Sequence, residues 1–106
     1  MQEFTIPLTP EPQKFNIFLS GIEYRLTVRW NDWAQSWWLE IDTPDGATNI
    51  LTGIPILCGI DLLEPFTYMG FKGSMICYSN TSRNDPKKEE LGITSNLLWV
   101  VLEDGD

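Results

Sequence analysis

Hydrophobic and polar residues alternate along most of this chain, and that period of two constrains its fold more than any other feature. The clearest case is residues 22–30, where five apolar side chains alternate with glutamate, arginine, threonine and arginine. Successive side chains of a β-strand point to opposite faces, so the pattern predicts a strand with one core face and one polar face. The same alternation at residues 3–8, 15–19 and 37–41 predicts three more strands, with Phe4 facing inward in the first.

Turn-forming residues divide these strands into hairpins. The segment 31–36 (NDWAQS) joins two alternating runs, and the pair predicts a β-hairpin. Thr43-Pro44-Asp45-Gly46 predicts a tight turn, because Pro fixes φ at its second position and Gly tolerates positive φ at its fourth. A second hairpin is expected to follow, with residues 47–57 forming short strands broken at Gly53 and Pro55.

The second half of the chain is predicted to hold two further strands. Residues 71–78 form the first, weakened in its middle by Gly73, and the apolar run 97–102 is a strand that is either central to a sheet or covered by a partner. One helical turn is expected at residues 60–64, where Pro65 would prevent its continuation.

The fold class that follows is mainly β: a single small antiparallel β-barrel or sandwich of about seven short strands with at most one short helical turn. One domain over residues 1–106 is expected from the length alone. Residues 80–90 contain no apolar side chain and are predicted to form a mobile loop, and residues 103–106 are an acidic tail.

Charge and composition argue against several classes of partner. Fifteen acidic and seven basic residues give a formal net charge of −8, which repels nucleic acid backbones and anionic membrane surfaces. The sequence shows no signal peptide and no apolar stretch of about 20 residues, so we expect a protein that is made in the cytoplasm and is not secreted. Under those conditions Cys58 and Cys77 are expected to be reduced and packed.

Nothing in the sequence indicates an enzyme. Histidine, the usual general acid–base, is absent, and its absence also argues against a zinc site. The acidic pairs Asp42/Asp45 and Asp61/Glu64 lie at a turn and at an expected helix start, where carboxylates have local structural roles. No phosphate-binding glycine motif occurs, and no cofactor or metal is expected.

The tryptophans indicate where a partner could bind. Trp30 and Trp37 fall on the core faces of their strands, whereas Trp38 falls on the polar face and Trp33 in the turn. Large exposed aromatics are typical of protein interfaces and also of sugar-stacking platforms, and both interpretations stay open here. The candidate interface residues, taken from aromatics outside the core pattern and from cations of the 80–90 loop, are Phe18, Trp33, Trp38, Arg83, Lys87 and Lys88.

The order and spacing of these elements resemble a known family, the small baseplate plug proteins of contractile-tailed bacteriophages, including those of cyanophages. The resemblance covers nearly the whole chain. The segments that carry it are Phe4-Thr5-Ile6-Pro7-Leu8, Tyr24-Arg25-Leu26-Thr27-Val28-Arg29-Trp30-Asn31, Trp37-x-Leu39-x-Ile41, Asp45-Gly46, Gly53-Ile54-Pro55-Ile56, Gly59-Ile60-Asp61-Leu62-Leu63, Leu91-Gly92 and Leu97-Leu98-Trp99-Val100.

The resemblance implies a structural part of the phage tail rather than a catalyst. It implies packing against the hub and spike proteins at the distal end of the tail tube, after assembly in the host cytoplasm. Apolar surface at residues 97–102 adds an expectation of association with a partner or with a second copy of the chain. A small carbohydrate-binding β module that uses Trp33 and Trp38 is the alternative function.

Overall fold

The computed structural model describes residues 2–79 and 88–101, which form seven β-strands and one short 3-10 helix. The alternating segments become strands in the order that the sequence predicts. The elements are β1 (Gln2–Ile6), β2 (Gln13–Leu19), β3 (Ile22–Asn31), β4 (Ser36–Asp42), β5 (Asn49–Pro55), the 3-10 helix (Glu64–Met69), β6 (Ser74–Ser79) and β7 (Ser95–Val101).

The strands form two antiparallel sheets, and neither closes into a barrel. The first sheet has three strands in the order β1-β7-β6, and the second has four in the order β2-β3-β4-β5. One hydrophobic core draws on both sheets, from Ile6, Leu97 and Trp99 on one side to Leu26 and Trp37 on the other. The sandwich form of the predicted fold class is therefore confirmed, and the barrel form is wrong.

The β3–β4 hairpin is confirmed in register and in packing. Trp30 lies opposite Trp37, and their rings meet edge to face with centroids 5.4 Å apart. Trp37 is fully buried, and Trp30 is half-buried with its Nε1 donating to Asp32 Oδ1 at 2.6 Å. Both tryptophans lie on the core faces of their strands, as the alternation predicts. The aromatic quadrupole favours the edge-to-face arrangement of their rings.

Strand β5 confirms the predicted break at Pro55, where it ends, and corrects the predicted break at Gly53. The strand runs without interruption from Asn49 to Pro55, and Gly53 takes a positive φ of 70° inside it. The irregularity appears instead in the pairing with β4, where the register shifts on either side of Ile41. A β-bulge accommodates one extra residue without ending the strand, and Gly53 can adopt the positive φ that this requires. Strand β5 therefore continues through the glycine.

The helical prediction for residues 60–64 is also wrong. The 3-10 helix begins at Glu64 and contains Pro65 in its first turn, where the missing N–H has no intrahelical partner to lose. Residues before it lie along strand β6 and donate to it, as Leu62 N does to Met75 O at 2.8 Å. The segment therefore combines hydrogen bonds to β6 with a single turn bond from Glu64 N to Asp61 O at 3.2 Å, and it is not helical.

In the first sheet, the structure confirms the central position of β7 and corrects the start of the strand that is predicted at residues 71–78. Strand β7 is central, between β1 and β6, as its continuous apolar run predicts. On its outer face Val100 is buried and Leu98 is half-buried, and association with a second copy of the chain stays a prediction. Strand β6 begins only at Ser74 because Gly73 passes over the Trp99 indole, where an added Cβ would lie 2.6 Å from ring carbons.

No helix among the described residues is long and apolar enough to span a membrane.

Candidate protein-binding interface

An apolar cleft of about 420 Å³ opens along one side of the sandwich, between the edge strands β1 and β2. We call this side the open edge. Phenylalanine, isoleucine, leucine and tryptophan side chains make up most of its walls, which include Phe4, Ile6, Ile17, Phe18, Leu19 and Trp99. Two neighbouring edge strands with an apolar cleft between them form the kind of surface that proteins usually cover.

Phe4 corrects the expectation that this side chain is buried. It lies opposite Trp99 and so shares the core face of the first sheet, yet it is 53% exposed. Among residues 2–79 and 88–101, no further strand flanks β1 on the side away from β7, so an inward-facing ring at this position is covered from one side only. The prediction was right about the face and wrong about the burial, because alternation does not reveal which strand is at an edge.

Phe18 is 67% exposed and confirms the outward orientation that its parity indicates. It lies opposite Glu23 on the polar face of the second sheet, and it also borders the cleft. The two phenylalanines come from different sheets, and together they give the open edge two aromatic contacts for a partner.

The floor of the open edge is held rigidly by a hydrogen bond between the sheets. Trp99 Nε1 donates to Ser20 Oγ at 3.0 Å, joining β7 to the β2–β3 turn. In this turn both Ser20 and Gly21 have positive φ, as tight two-residue hairpin loops require. The cleft is therefore preformed, and a partner need not order it on binding.

On the opposite side of the sandwich the edge of strand β6 is covered by the segment that precedes the 3-10 helix, and we call this the covered edge. Residues 58–62 lie along β6 as isolated bridges, with Gly59 N donating to Cys77 O at 3.1 Å. Asp61 Oδ1 accepts hydrogen bonds from Met75 N and Leu63 N, each at 3.0 Å. The structural role predicted for Asp61 is thus to hold its own segment against strand β6 through these hydrogen bonds.

Trp33 projects from the tip of the β3–β4 hairpin and is 99% exposed. The tip is ordered by its own hydrogen bonds: Ala34 N donates to Asn31 Oδ1 at 3.0 Å, and Gln35 Nε2 donates to Asp32 O at 2.7 Å. These bonds order the turn that carries Trp33, and a large exposed indole of this kind is a candidate contact for a protein partner.

Trp38 occupies a third location, the outer face of the four-stranded sheet. Its Nε1 donates to Ser36 Oγ at 2.8 Å, and its ring borders β5 near Gly53, so the side chain is only half-exposed. It lies opposite Arg29 and helps to line a polar cleft of about 400 Å³. Trp38 therefore contributes part of its ring to the surface and part to packing.

The predicted interface residues thus do not form one patch. Phe18 lies at the open edge, Trp33 at the hairpin tip and Trp38 on the outer sheet face. Lys88 is exposed, and Arg83 and Lys87 lie outside the described residues, as do most of the 80–90 loop and all of the 103–106 tail. Phe4 is the exposed aromatic at the cleft that sequence reasoning missed, because its strand propensity carried no signal of its edge position.

Two titratable side chains in the described part of the chain have pKa values shifted by their surroundings. Asp45 Oδ1 accepts hydrogen bonds from Ala47 N at 2.9 Å and from Thr43 Oγ1 at 2.7 Å, and these bonds lower the pKa of the carboxyl below 3.8. Burial raises the pKa of the Tyr24 phenol above 10.0. Across residues 2–79 and 88–101, no group of three or more cysteine and acidic side chains is placed to bind a metal ion.

Comparison with known proteins gives one family. The family model described as "Cyanophage baseplate Pam3 plug gp18" matches residues 3–103. The match spans every strand from β2 to β7 and all but the first residue of β1. No curated protein is significantly similar to this chain.

Proposed function

Because the chain belongs to the cyanophage baseplate plug family, we propose that it packs against the hub and spike at the distal end of the tail tube through its open edge. Membership in the family makes the protein a structural component of the phage tail baseplate, in contact with other baseplate proteins. The proposal adds which partners it meets and which surface it uses.

The single observation that carries this proposal is the pair of bare edge strands with a preformed apolar cleft between them. An edge strand presents unpaired backbone N–H and C=O groups, which a partner segment can pair with by adding a strand. Phe4 and Phe18 flank these groups and supply apolar area on both sheets. A partner that covered the cleft would bury both rings and could also form hydrogen bonds with the unpaired backbone groups of the edge strands.

The role proposed here requires no catalysis and no cofactor. The acidic pairs that the sequence contains act locally, as the hydrogen bonds of Asp45 and Asp61 illustrate. We further propose that the chain joins the baseplate in the host cytoplasm and then remains in the virion. The carbohydrate-binding alternative gains no support from the family match, and the partial burial of Trp38 leaves less of that ring for stacking on a sugar.

Binding of the purified chain to the hub and spike proteins of its own baseplate tests the proposal. The double variant Phe4→Ser/Phe18→Ser removes both exposed rings of the open edge, and we expect it to bind about tenfold to a hundredfold more weakly. Tyr68→Ser is the matched control, because Tyr68 is an exposed aromatic outside the cleft.

The free energy of unfolding separates loss of contact from loss of fold. We expect the double variant to lose roughly 1–3 kcal/mol and to stay folded under the conditions of the binding assay, because Phe4 is 53% and Phe18 is 67% exposed and only the rest of each ring is buried. Equal binding by the double variant and the wild-type chain would overturn the assignment of the open edge.

A further inference from the structure

Two cysteine side chains face each other at the covered edge. Cys77 lies in strand β6 and is 1% exposed, whereas Cys58 lies in the preceding segment and is half-exposed. The two residues form a parallel β-bridge, and their sulfur atoms are 3.6 Å apart. Nineteen positions separate them in sequence, so spacing alone gave no sign of this proximity.

The backbone arrangement suits a disulfide. Bridged residues on neighbouring strands have Cα atoms roughly 5 Å apart, inside the range of about 4.4–6.8 Å that disulfides span. Closing the gap between the sulfurs to about 2.05 Å takes a small rotation of each side chain and no rearrangement of the sheet.

We propose that Cys58 and Cys77 are a modification site, at which an intramolecular disulfide forms when the protein meets a small-molecule disulfide such as oxidised glutathione. The half-exposed Cys58 thiolate attacks the small disulfide, forms a mixed disulfide and releases one small thiolate. The Cys77 thiolate then attacks the Cys58 sulfur and releases the second. The two protein thiols lose two electrons and two protons, and the small disulfide gains both to become two thiols.

The bond would lock the cover over strand β6. Without it, residues 58–62 are held against β6 by the hydrogen bonds of Gly59, Asp61 and Leu62. With it, the loop from Cys58 to Cys77, which contains the 3-10 helix, is closed covalently. Thiols stay reduced in a cytoplasm and disulfides persist outside cells, so the bond would form once a tail baseplate leaves its host.

Intact mass and peptide mapping of the full chain test this site, after incubation with either a dithiol reductant or oxidised glutathione. We expect the oxidised wild-type chain to lose about 2 Da, the mass of two hydrogens, and to give a linked peptide that contains both cysteines. The melting temperature should rise by roughly 5–15 °C, because a closed loop restricts the unfolded chain.

Single variants show whether the two sulfurs react with each other. Cys77→Ser should stop at the mixed disulfide and carry one glutathione on Cys58, and Cys58→Ser should stay unmodified because Cys77 is buried. A wild-type chain that keeps glutathione on Cys58, links to a second copy through Cys58, or remains a dithiol would overturn the proposal.

Discussion

The edge strands on the two sides of this sandwich differ in how much of their surface the chain itself covers. At the covered edge, residues 58–62 lie against strand β6 and their polar groups pair with its backbone. At the open edge, β1 and β2 end their sheets with a cleft and two exposed phenylalanines between them. Edge strands template unwanted pairing, and natural proteins protect them. The proposal that a partner binds at the open edge rests on this difference between the two edges.

The largest effect should come from the covered edge. Asp61→Ala removes a carboxylate that accepts hydrogen bonds from two backbone N–H groups, one of them on the buried Met75. Hydrogen bonds to charged groups are stronger than neutral ones, and the donors left behind lose their partner. We expect the free energy of unfolding to fall by about 2–3 kcal/mol in urea denaturation.

Glu11→Ala is the control for this change, because it removes the same charge from an exposed position. A loss for Asp61→Ala no larger than the loss for Glu11→Ala would mean that the hydrogen bonds of the Asp61 carboxylate contribute little to stability.

A smaller effect is expected from the second carboxylate that accepts a backbone hydrogen bond, Asp45 in the β4–β5 turn. Its pKa is lowered in the folded chain, so its stabilising effect is present above the unfolded value of 3.8 and is lost as the pH falls through the folded pKa. Asp45→Asn should therefore reduce stability near neutral pH and match the wild type in strong acid. Urea denaturation between roughly pH 2 and pH 7 measures this difference.

A wild-type advantage over Asp45→Asn that grows in acid would contradict the direction of the pKa shift. Because Asp45 is fully exposed, the whole effect should stay well below that of Asp61→Ala.

The strands could be predicted from the sequence, but the edges could not. Alternation located β2, β3 and β4 and oriented Trp30, Trp37 and Phe18, because the period of two is a local property of the backbone. Strand order depends on contacts between distant segments. Phe4 is exposed because β1 pairs only with β7, 90 or more residues away, and nothing within residues 3–8 encodes that.

The same limit explains the errors in the middle of the chain. Pro65 predicts the end of a helical turn, although a proline in the first turn of a helix is equally compatible with the sequence. What decides between the two is the pairing of residues 58–62 with strand β6, which also brings Cys58 to Cys77. Local propensity cannot include a partner strand that follows more than ten residues later.

Hydrogen exchange in the assembled baseplate tests most directly whether the open edge is the partner-binding surface. We expect the amides of Gln2–Ile6 and Gln13–Leu19 to exchange more slowly in the assembly than in the isolated chain, while those of Ser74–Ser79 stay unchanged because the chain already covers them. Unchanged exchange in β1 and β2, with new protection confined to the hairpin tip around Trp33 or to β6, would contradict the account.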